Sequence, residues 1–379
     1  MSFLEYRVKF APVGFAKVFY VNWGLYLLIT AAAAIGWLML YSIAGGDMSV
    51  WARPQMQRYA MGFVLALGVT FTPIWFWRSM SGAAYGLTFL LLLAVQFFGE
   101  VGMGAQRWID LGFMRLQPSE LMKVTLVMML ATYYDWLDDK KVSRPLWVAI
   151  PVLLIITPTI LVLLQPNLGT SLMLIIAGAA VMFVAGVSLW YFFAVIAVVA
   201  GAVAGVFVLR GTRWQFLHDY QYKRIDTFLD PSADPLGAGY NIMQAKIALG
   251  SGGWTGKGFM QGTQSRLNFL PEKHTDFIFT TLGEEFGFVG AISLLTLYAL
   301  ILLFLIWAAI QNKDRFSSLL IVGIAANFFL YLAVNLAMVM GMVPVVGVPL
   351  PFLSYGGSAT LVLLLAFGLV QSAIVHRLR

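Results

Sequence analysis

The sequence predicts an all-α polytopic membrane protein of about ten transmembrane helices, with one large extracytoplasmic loop between helices 7 and 8. Composition gives the class: 60% of residues are hydrophobic and 11% charged, against roughly a quarter charged in a soluble globular chain. Charge-free runs then recur at the length that crosses a hydrocarbon core, about 20 residues each. Short Gly- and Pro-containing breaks divide the longest of these runs, and one connecting segment is far longer than the others.

The spans follow in order. Residues 18–46, 59–77 and 79–99 carry no charge and give three. A fourth opens at the helix-start pair Pro118–Ser119 and runs to Tyr134. Residues 145–209 contain no Asp, Glu, Lys or Arg and break at "QPNLG" (165–169) and "GVS" (186–188), giving three more. An eighth runs from Phe277 to about Ile310. Residues 316–376 are again free of those four types and break at "GMVPVVGVPLP" (341–351), giving the last two. The whole of 1–379 reads as one membrane domain, with the loop 210–276 inside it.

Lys and Arg in short loops set the orientation. Arg7, Lys9, Lys17, Arg78, Lys140, Lys141, Arg144, Lys313, Arg315, Arg377 and Arg379 collect on one side, which we place in the cytoplasm beneath the inner membrane. Both termini are then cytoplasmic and residues 210–276 lie outside. Tryptophans such as Trp23, Trp75, Trp136 and Trp307 fall near the basic side, as an interfacial aromatic belt would. The net charge of +7 belongs to these flanks, so it gives no reason to expect nucleic acid. With no Cys there is no thiolate nucleophile and no Cys-ligated metal. The three His (His218, His274, His376) are too scattered for a zinc site of ordinary spacing. The first apolar run is too long for a signal-peptide core, so no cleavable signal is expected.

Some polar groups stand where a membrane protein has little use for them. "LPEKHTDFIF" (270–279) places Glu272, Lys273, His274 and Asp276 at the outer lip of span 8. Asp276 there reads either as an interfacial helix cap, favoured by the helix dipole, or as a functional acid. Glu120 and Lys123 share a face at the start of span 4, preceded by Arg107 and Arg115. They form either an ion pair reaching to the interface or part of an anion site. Asp276, Thr280 and Glu284 repeat every four residues, which puts Glu284 roughly 12 Å deeper than Asp276, where it needs a polar partner or cavity. Asn327 and Asn335, eight apart on span 9, suit hydrogen bonding between helices. "PFLSYGGS" (351–358) brings Ser354, Tyr355 and two glycines to the outer start of span 10. It is either a re-entrant turn or part of the site. Two Arg and a Lys beside carboxylates suit a phosphate-bearing substrate. "SGGWTGKGF" (251–259) fails as a phosphate loop, since Ser251 and Gly258 stand where Gly and Ser/Thr are needed, and reads as turns. "NIMQAKIALG" (241–250) reads as a short helix, lying on the membrane surface or packed on the rest of the loop.

Taken in order, "GAQRWIDLG…QPSELMK", "QPNLGTS", "GKGFMQGTQSRLNFLPEKHTDFIF" and "GVPLPFLSYGGS" resemble the signature segments of the SEDS family (shape, elongation, division and sporulation), over nearly the whole chain. "LPEKHTDFIF" and "VGVPLPFLSYGG" resemble its rod-elongation branch rather than its division branch. The resemblance implies a peptidoglycan glycosyltransferase that polymerises lipid II at the outer face of the cytoplasmic membrane. The implied partners are a class B penicillin-binding protein as crosslinking transpeptidase, undecaprenyl-diphosphate-linked glycan and other elongation-complex membrane proteins. It also implies that Asp276 is the essential acid, with Arg115, Glu120 and Lys123 matching family motif positions. Asn167 departs from the Asp expected there. On this reading Asp276 is the general base, and Arg115 and Lys123 steady the diphosphate. His274, Ser354 and Tyr355 join Arg115, Glu120 and Lys123 as substrate-binding candidates. A divalent cation, Mg or Mn, could share the work with Glu120 as a ligand. The rival readings are a lipid II flippase, to which Glu284 and Glu285 would offer a polar path, and a non-catalytic scaffold.

Overall fold

The computed structural model describes residues 14–102, 105–110, 112, 115–212, 215, 222, 226, 238–266 and 272–377. Its long helices are α1 (Trp23–Ile43), α2 (Ala52–Phe71), α3 (Ile74–Phe98), α4 (Pro118–Trp136), α5 (Pro145–Leu164), α6 (Leu168–Val184) and α7 (Leu189–Val208). Two shorter helices, α8 (Ala238–Ser251) and α9 (Thr263–Arg266), precede α10 (Ile278–Gln311), α11 (Arg315–Val339) and α12 (Gly357–Val375). Ten helices among the described residues correspond to the ten expected spans, except that α2 begins before the expected 59 and the break after it falls at Thr72–Pro73, which puts Arg78 inside α3. Their ends follow from local chemistry. Asn22, Asn167 and Asp314 cap α1, α6 and α11 by accepting from Leu25 N (3.2 Å), Thr170 N (3.3 Å) and Ser317 N (3.0 Å). Pro118 and Pro145 open α4 and α5, where a missing N–H costs nothing.

Seven of the ten (α1, α3, α5, α7, α10, α11 and α12) are long and apolar enough to cross a membrane unaided. The other three are shielded by their neighbours. α2 packs along α12, α4 lies among α3, α6 and α11, and the 17-residue α6 lies between α5 and α11. The centre is α12, α11 and α4: in their most apolar stretches α12 is 89% buried and α11 67%, whereas α7 is 0% buried and wholly peripheral. Gly323 lets α11 approach α4 and α6 closely, since a Cβ there would sit 2.3 Å from Val127 and 2.8 Å from Val181.

Three findings go beyond the sequence expectations. Residues 100–116 form a small antiparallel sheet, β1 (Glu100–Gly102), β2 (Ala105–Asp110) and β3 (Arg115–Leu116), outside an all-helical scheme. α8 is packed against the spanning helices α10 and α11, with Ile242, Ala245 and Ala248 buried, rather than chiefly on the rest of the loop or along the membrane surface as its two readings had it. The glycines of "GWTGKG" do more than turn: Gly256, with positive φ, presses the loop into α10, which is broken opposite it at Gly287 (φ 64°, ψ −158°). Among the expected features, Arg7, Lys9, Arg379, His218 and residues 267–271 of the "QSRLNFLPEK" signature lie outside the described residues.

Candidate active site

The segment 272–277, just before α10, is stitched to the 346–356 segment before α12. Ser354 Oγ donates to Thr275 O (2.6 Å) and accepts from Leu350 N (2.8 Å), while Tyr355 N donates to His274 O (2.9 Å). The Asn335 amide donates to both Asp276 O (2.8 Å) and Val348 O (2.7 Å). Two carbonyl acceptors require the NH2 on that side, so the amide's orientation is fixed by the network. The Asp276 carboxylate points across this seam at Gly347: an added Cβ there would lie 3.5 Å from Oδ2, and φ of +68° independently favours glycine. The carboxylate accepts no hydrogen bond from the described residues. Burial, reinforced by the neighbouring Glu272 charge, pushes its pKa up to about 6.

Beside it stands an aromatic group. Trp51, immediately before α2, stacks on His274 at 4.1 Å and 20° and meets Tyr355 edge-on at 4.8 Å. The Arg58 guanidinium lies 4.8 Å over the Tyr355 ring. Burial holds the His274 pKa below its usual value, so the ring is neutral near pH 7 and suited to lie on indole.

Glu120 and Lys123 lie one step deeper and are buried, not reaching to the interface. Lys123 Nζ donates to Glu120 Oε1 (2.7 Å) and to the Tyr331 hydroxyl, which in turn donates to Glu120 Oε2. The ammonium also sits 4.0 Å from the Tyr331 ring centroid. Asn327 donates to Lys123 O (3.3 Å). Asn327, Tyr331 and Asn335 are spaced by four on α11, so one helical stripe binds the ion pair and, one turn outward, the backbone of Asp276. As expected, Asn327 acts between helices; Asn335 instead ties its helix to two non-helical segments, those carrying Asp276 and Val348. Glu120 does not fit a divalent cation: both its oxygens are committed and the nearest charge is an ammonium. Among the described residues no three His, Asp or Glu side chains gather into a cation site.

The other candidates are placed more loosely. Arg115 is exposed on β3, opposite Asp110. Arg107 donates through Nε to Gln165 O (2.9 Å) and through Nη2 to Pro166 O, tying the sheet to the α5–α6 turn. Asn167 in that turn is the α6 cap, a role an amide fills without charge. Gly169 of α6 abuts Val346 and Val348, so this turn backs the non-helical segment facing Asp276. Glu284 is met by Lys257 at 2.7 Å, and Glu285 by the Ser42 hydroxyl. Trp51, Arg58 and Tyr331 were not singled out by the sequence. Arg58 carried a signal, being a basic residue at the edge of the second expected span, apart from the cytoplasmic cluster of Lys and Arg; Tyr331 carried none beyond its spacing from Asn327 and Asn335.

These features define a class: a multi-pass helical membrane protein with a half-buried carboxylate, a stacked aromatic group and a buried ion pair at one end of its bundle. The profile of the FtsW/RodA/SpoVE family, described as cell cycle proteins, matches residues 22–378, and the chain belongs to that family. It is 42% identical over 354 residues to the peptidoglycan glycosyltransferase MrdB of Escherichia coli K12, covering 93% of this chain and 92% of that protein. To MrdB of Helicobacter pylori J99 it is 34% identical over 367 residues (93% and 89% covered). Its fold matches the rod shape determining protein RodA of Thermus thermophilus with a TM-score of 0.70 at 29% identity, covering 95% of this chain and 98% of that one. A chain from a peptidoglycan synthase complex, studied for coordination of polymerization and crosslinking, matches with a TM-score of 0.80 at 31% identity (93% and 97% covered).

Proposed function

We propose that Asp276 is the general base of this peptidoglycan glycosyltransferase, acting at the outer face of the inner membrane during wall elongation. One observation carries the assignment: a half-buried carboxylate that accepts no hydrogen bond from the described residues, aimed across a glycine seam, with its pKa raised to about 6. A base is most effective when its pKa lies near the working pH, and such a group contributes typically 10²–10⁴-fold. The GlcNAc 4-hydroxyl of one lipid-linked glycan attacks the anomeric carbon of a second, and its proton passes to Asp276. The new C–O bond forms as the bond to undecaprenyl diphosphate breaks, and the leaving diphosphate takes the electron pair. That growing negative charge calls for cations at the outer end. Arg58 is the cation packed against the His274–Tyr355 group, and Arg115 lies on the exposed sheet. Lys123, sealed against Glu120 and Tyr331, acts through the shape of the site. Trp51, His274 and Tyr355 offer ring faces and edges to a sugar, and Ser354 holds the seam shut. A class B penicillin-binding protein would crosslink the product, in keeping with the likeness to a synthase-complex chain. Both termini then lie in the cytoplasm.

The test is polymer formation from fluorescent lipid II by the purified protein with its partner transpeptidase blocked. Wild type should give glycan polymer on a gel and folded Asp276→Asn none. Equal polymer from both would remove Asp276 from the chemistry; it does not cap α10 either, whose cap position is Phe277 with no side-chain capping bond. No polymer from either, with lipid II translocation in liposomes, would favour the flippase.

A further inference from the structure

The proposed chemistry leaves the Glu284 carboxylate and the glycine-rich 252–258 segment unused, yet the two are joined. Glu284 is 0% exposed, and its Oε1 accepts from Lys257 Nζ (2.7 Å), Thr263 N (2.8 Å), Thr263 Oγ1 (3.0 Å) and Gln264 N (3.0 Å). At the same level the loop enters the helix. An unbroken α10 would bond Phe288 N to Glu284 O and Val289 N to Glu285 O. Here those four groups bond the loop: Lys257 N to Glu284 O (3.0 Å), Gly258 N to Glu285 O (3.0 Å), Phe288 N to Gly253 O (2.9 Å) and Val289 N to Trp254 O (3.1 Å). Two helical bonds are exchanged for four between segments, and each of these four helix groups keeps a partner. Glycine makes the approach possible, since Cβ atoms at positions 252 and 256 would lie 2.0 and 2.1 Å from the carbonyls of Gly283 and Glu285.

The bond from Gln264 to Glu284 closes a stretch separated by 20 in sequence, and Asp276 lies inside it. We propose that this clasp, with Glu284 at its centre, positions Asp276 for glycosyl transfer by fixing both chain ends of the segment that carries it. The inference rests on Asp276 being the base. Glu284 touches no substrate on this reading; it is a positioning residue. Misplacement of a reacting group by about 1 Å can cost on the order of 10²-fold in rate.

The experiment pairs kinetics with hydrogen exchange on the full-length protein in its partner complex. Glu284→Ala should lower kcat about 10²-fold with KM changed only a few-fold, and should speed amide exchange at 252–266 and 272–277 but not in α11 or α12. Glu284→Gln keeps the oxygen that accepts from Thr263 and Gln264 and should restore kcat to within about tenfold of wild type. Should Glu284→Ala not fold, the Lys257→Met, Thr263→Val double variant loosens the clasp from the loop side and should shift both readouts the same way. An unchanged kcat, or a kcat loss with exchange at 272–277 unaltered, would overturn the proposal. Exchange is read without turnover, so an error about the base would not be mistaken for an error about the clasp.

Discussion

Replacing Tyr331 with phenylalanine removes one oxygen from the middle of the bundle and leaves the ring. That oxygen donates to Glu120 and accepts from Lys123, whose side chains are 5% and 2% exposed. A hydrogen bond to a charged group contributes roughly 1.5–3 kcal/mol. Losing both would cost up to about 6 kcal/mol, but the direct Lys123–Glu120 bond at 2.7 Å survives, as does the ring beneath the ammonium. We therefore expect a destabilisation of about 3–4 kcal/mol, near the value for leaving a buried ion pair short of a partner. The assay is reversible unfolding of the detergent-solubilised protein, with Glu120→Met, Lys123→Met, Tyr331→Phe as a fully apolar comparison. Because desolvating the charges offsets much of their attraction, the apolar triple variant should be more stable than Tyr331→Phe alone. A Tyr331→Phe protein within about 0.5 kcal/mol of wild type, the typical range for surface changes, would refute the shared-oxygen account.

Two further outcomes follow from the same geometry. The proposed base works deprotonated, so with Asp276 at about 6 the value of kcat/KM should fall about tenfold per pH unit below that point and level off above it. Glu272→Gln removes the like charge but not the burial, which is the larger cause, so it should move the acid limb only part of the way toward an ordinary carboxylate; an unmoved limb would remove Glu272 from the account. Asn335→Leu deletes both donors that clamp Asp276 O to Val348 O and should lower kcat more than it raises KM. Asn335→Asp, which keeps the size but lacks the donors, should do no better, and recovery in that variant would show that shape alone suffices.

Much of the fold was legible because lipid imposes one rule on every spanning segment: length, apolarity and an internally satisfied backbone. The three helices that fall short by that rule, α2, α4 and α6, are those sheltered by others, and packing does not appear in a hydropathy pattern. The candidate site was legible where polar residues stood out against an apolar background, as Glu120, Lys123 and Asp276 do. It was hidden where a residue type is unremarkable in a span. Tyr331 reads as an ordinary aromatic of a span, and Trp51 as one of a connecting segment, until tertiary packing sets them against Lys123 and His274. The loop inserted at Gly287 was likewise beyond reach, because backbone-to-backbone exchange leaves only glycines as its trace.

The same placement decides between chemistry at one face and passage through the bundle. α4 and α11 run antiparallel, and their contacts can be followed inward from Asp276: Asn335 at its backbone, Tyr331 at the ion pair, Asn327 at the Lys123 carbonyl. One turn further in, the partners become Val127 and Val181 closing on Gly323, at distances that would exclude even an added methyl group. The polar stripe therefore ends in tightly packed aliphatic side chains. Glu284 and Glu285, the acids that would best suit a transport path, are held by Lys257 and Ser42. A disaccharide crossing here would have to part α4 from α11 and leave the buried charges without partners, each costing several kcal/mol. Chemistry confined to the end of the bundle where Asp276 lies needs neither, and beyond the clasped Glu284 and Glu285 the rest of α10 carries no charge.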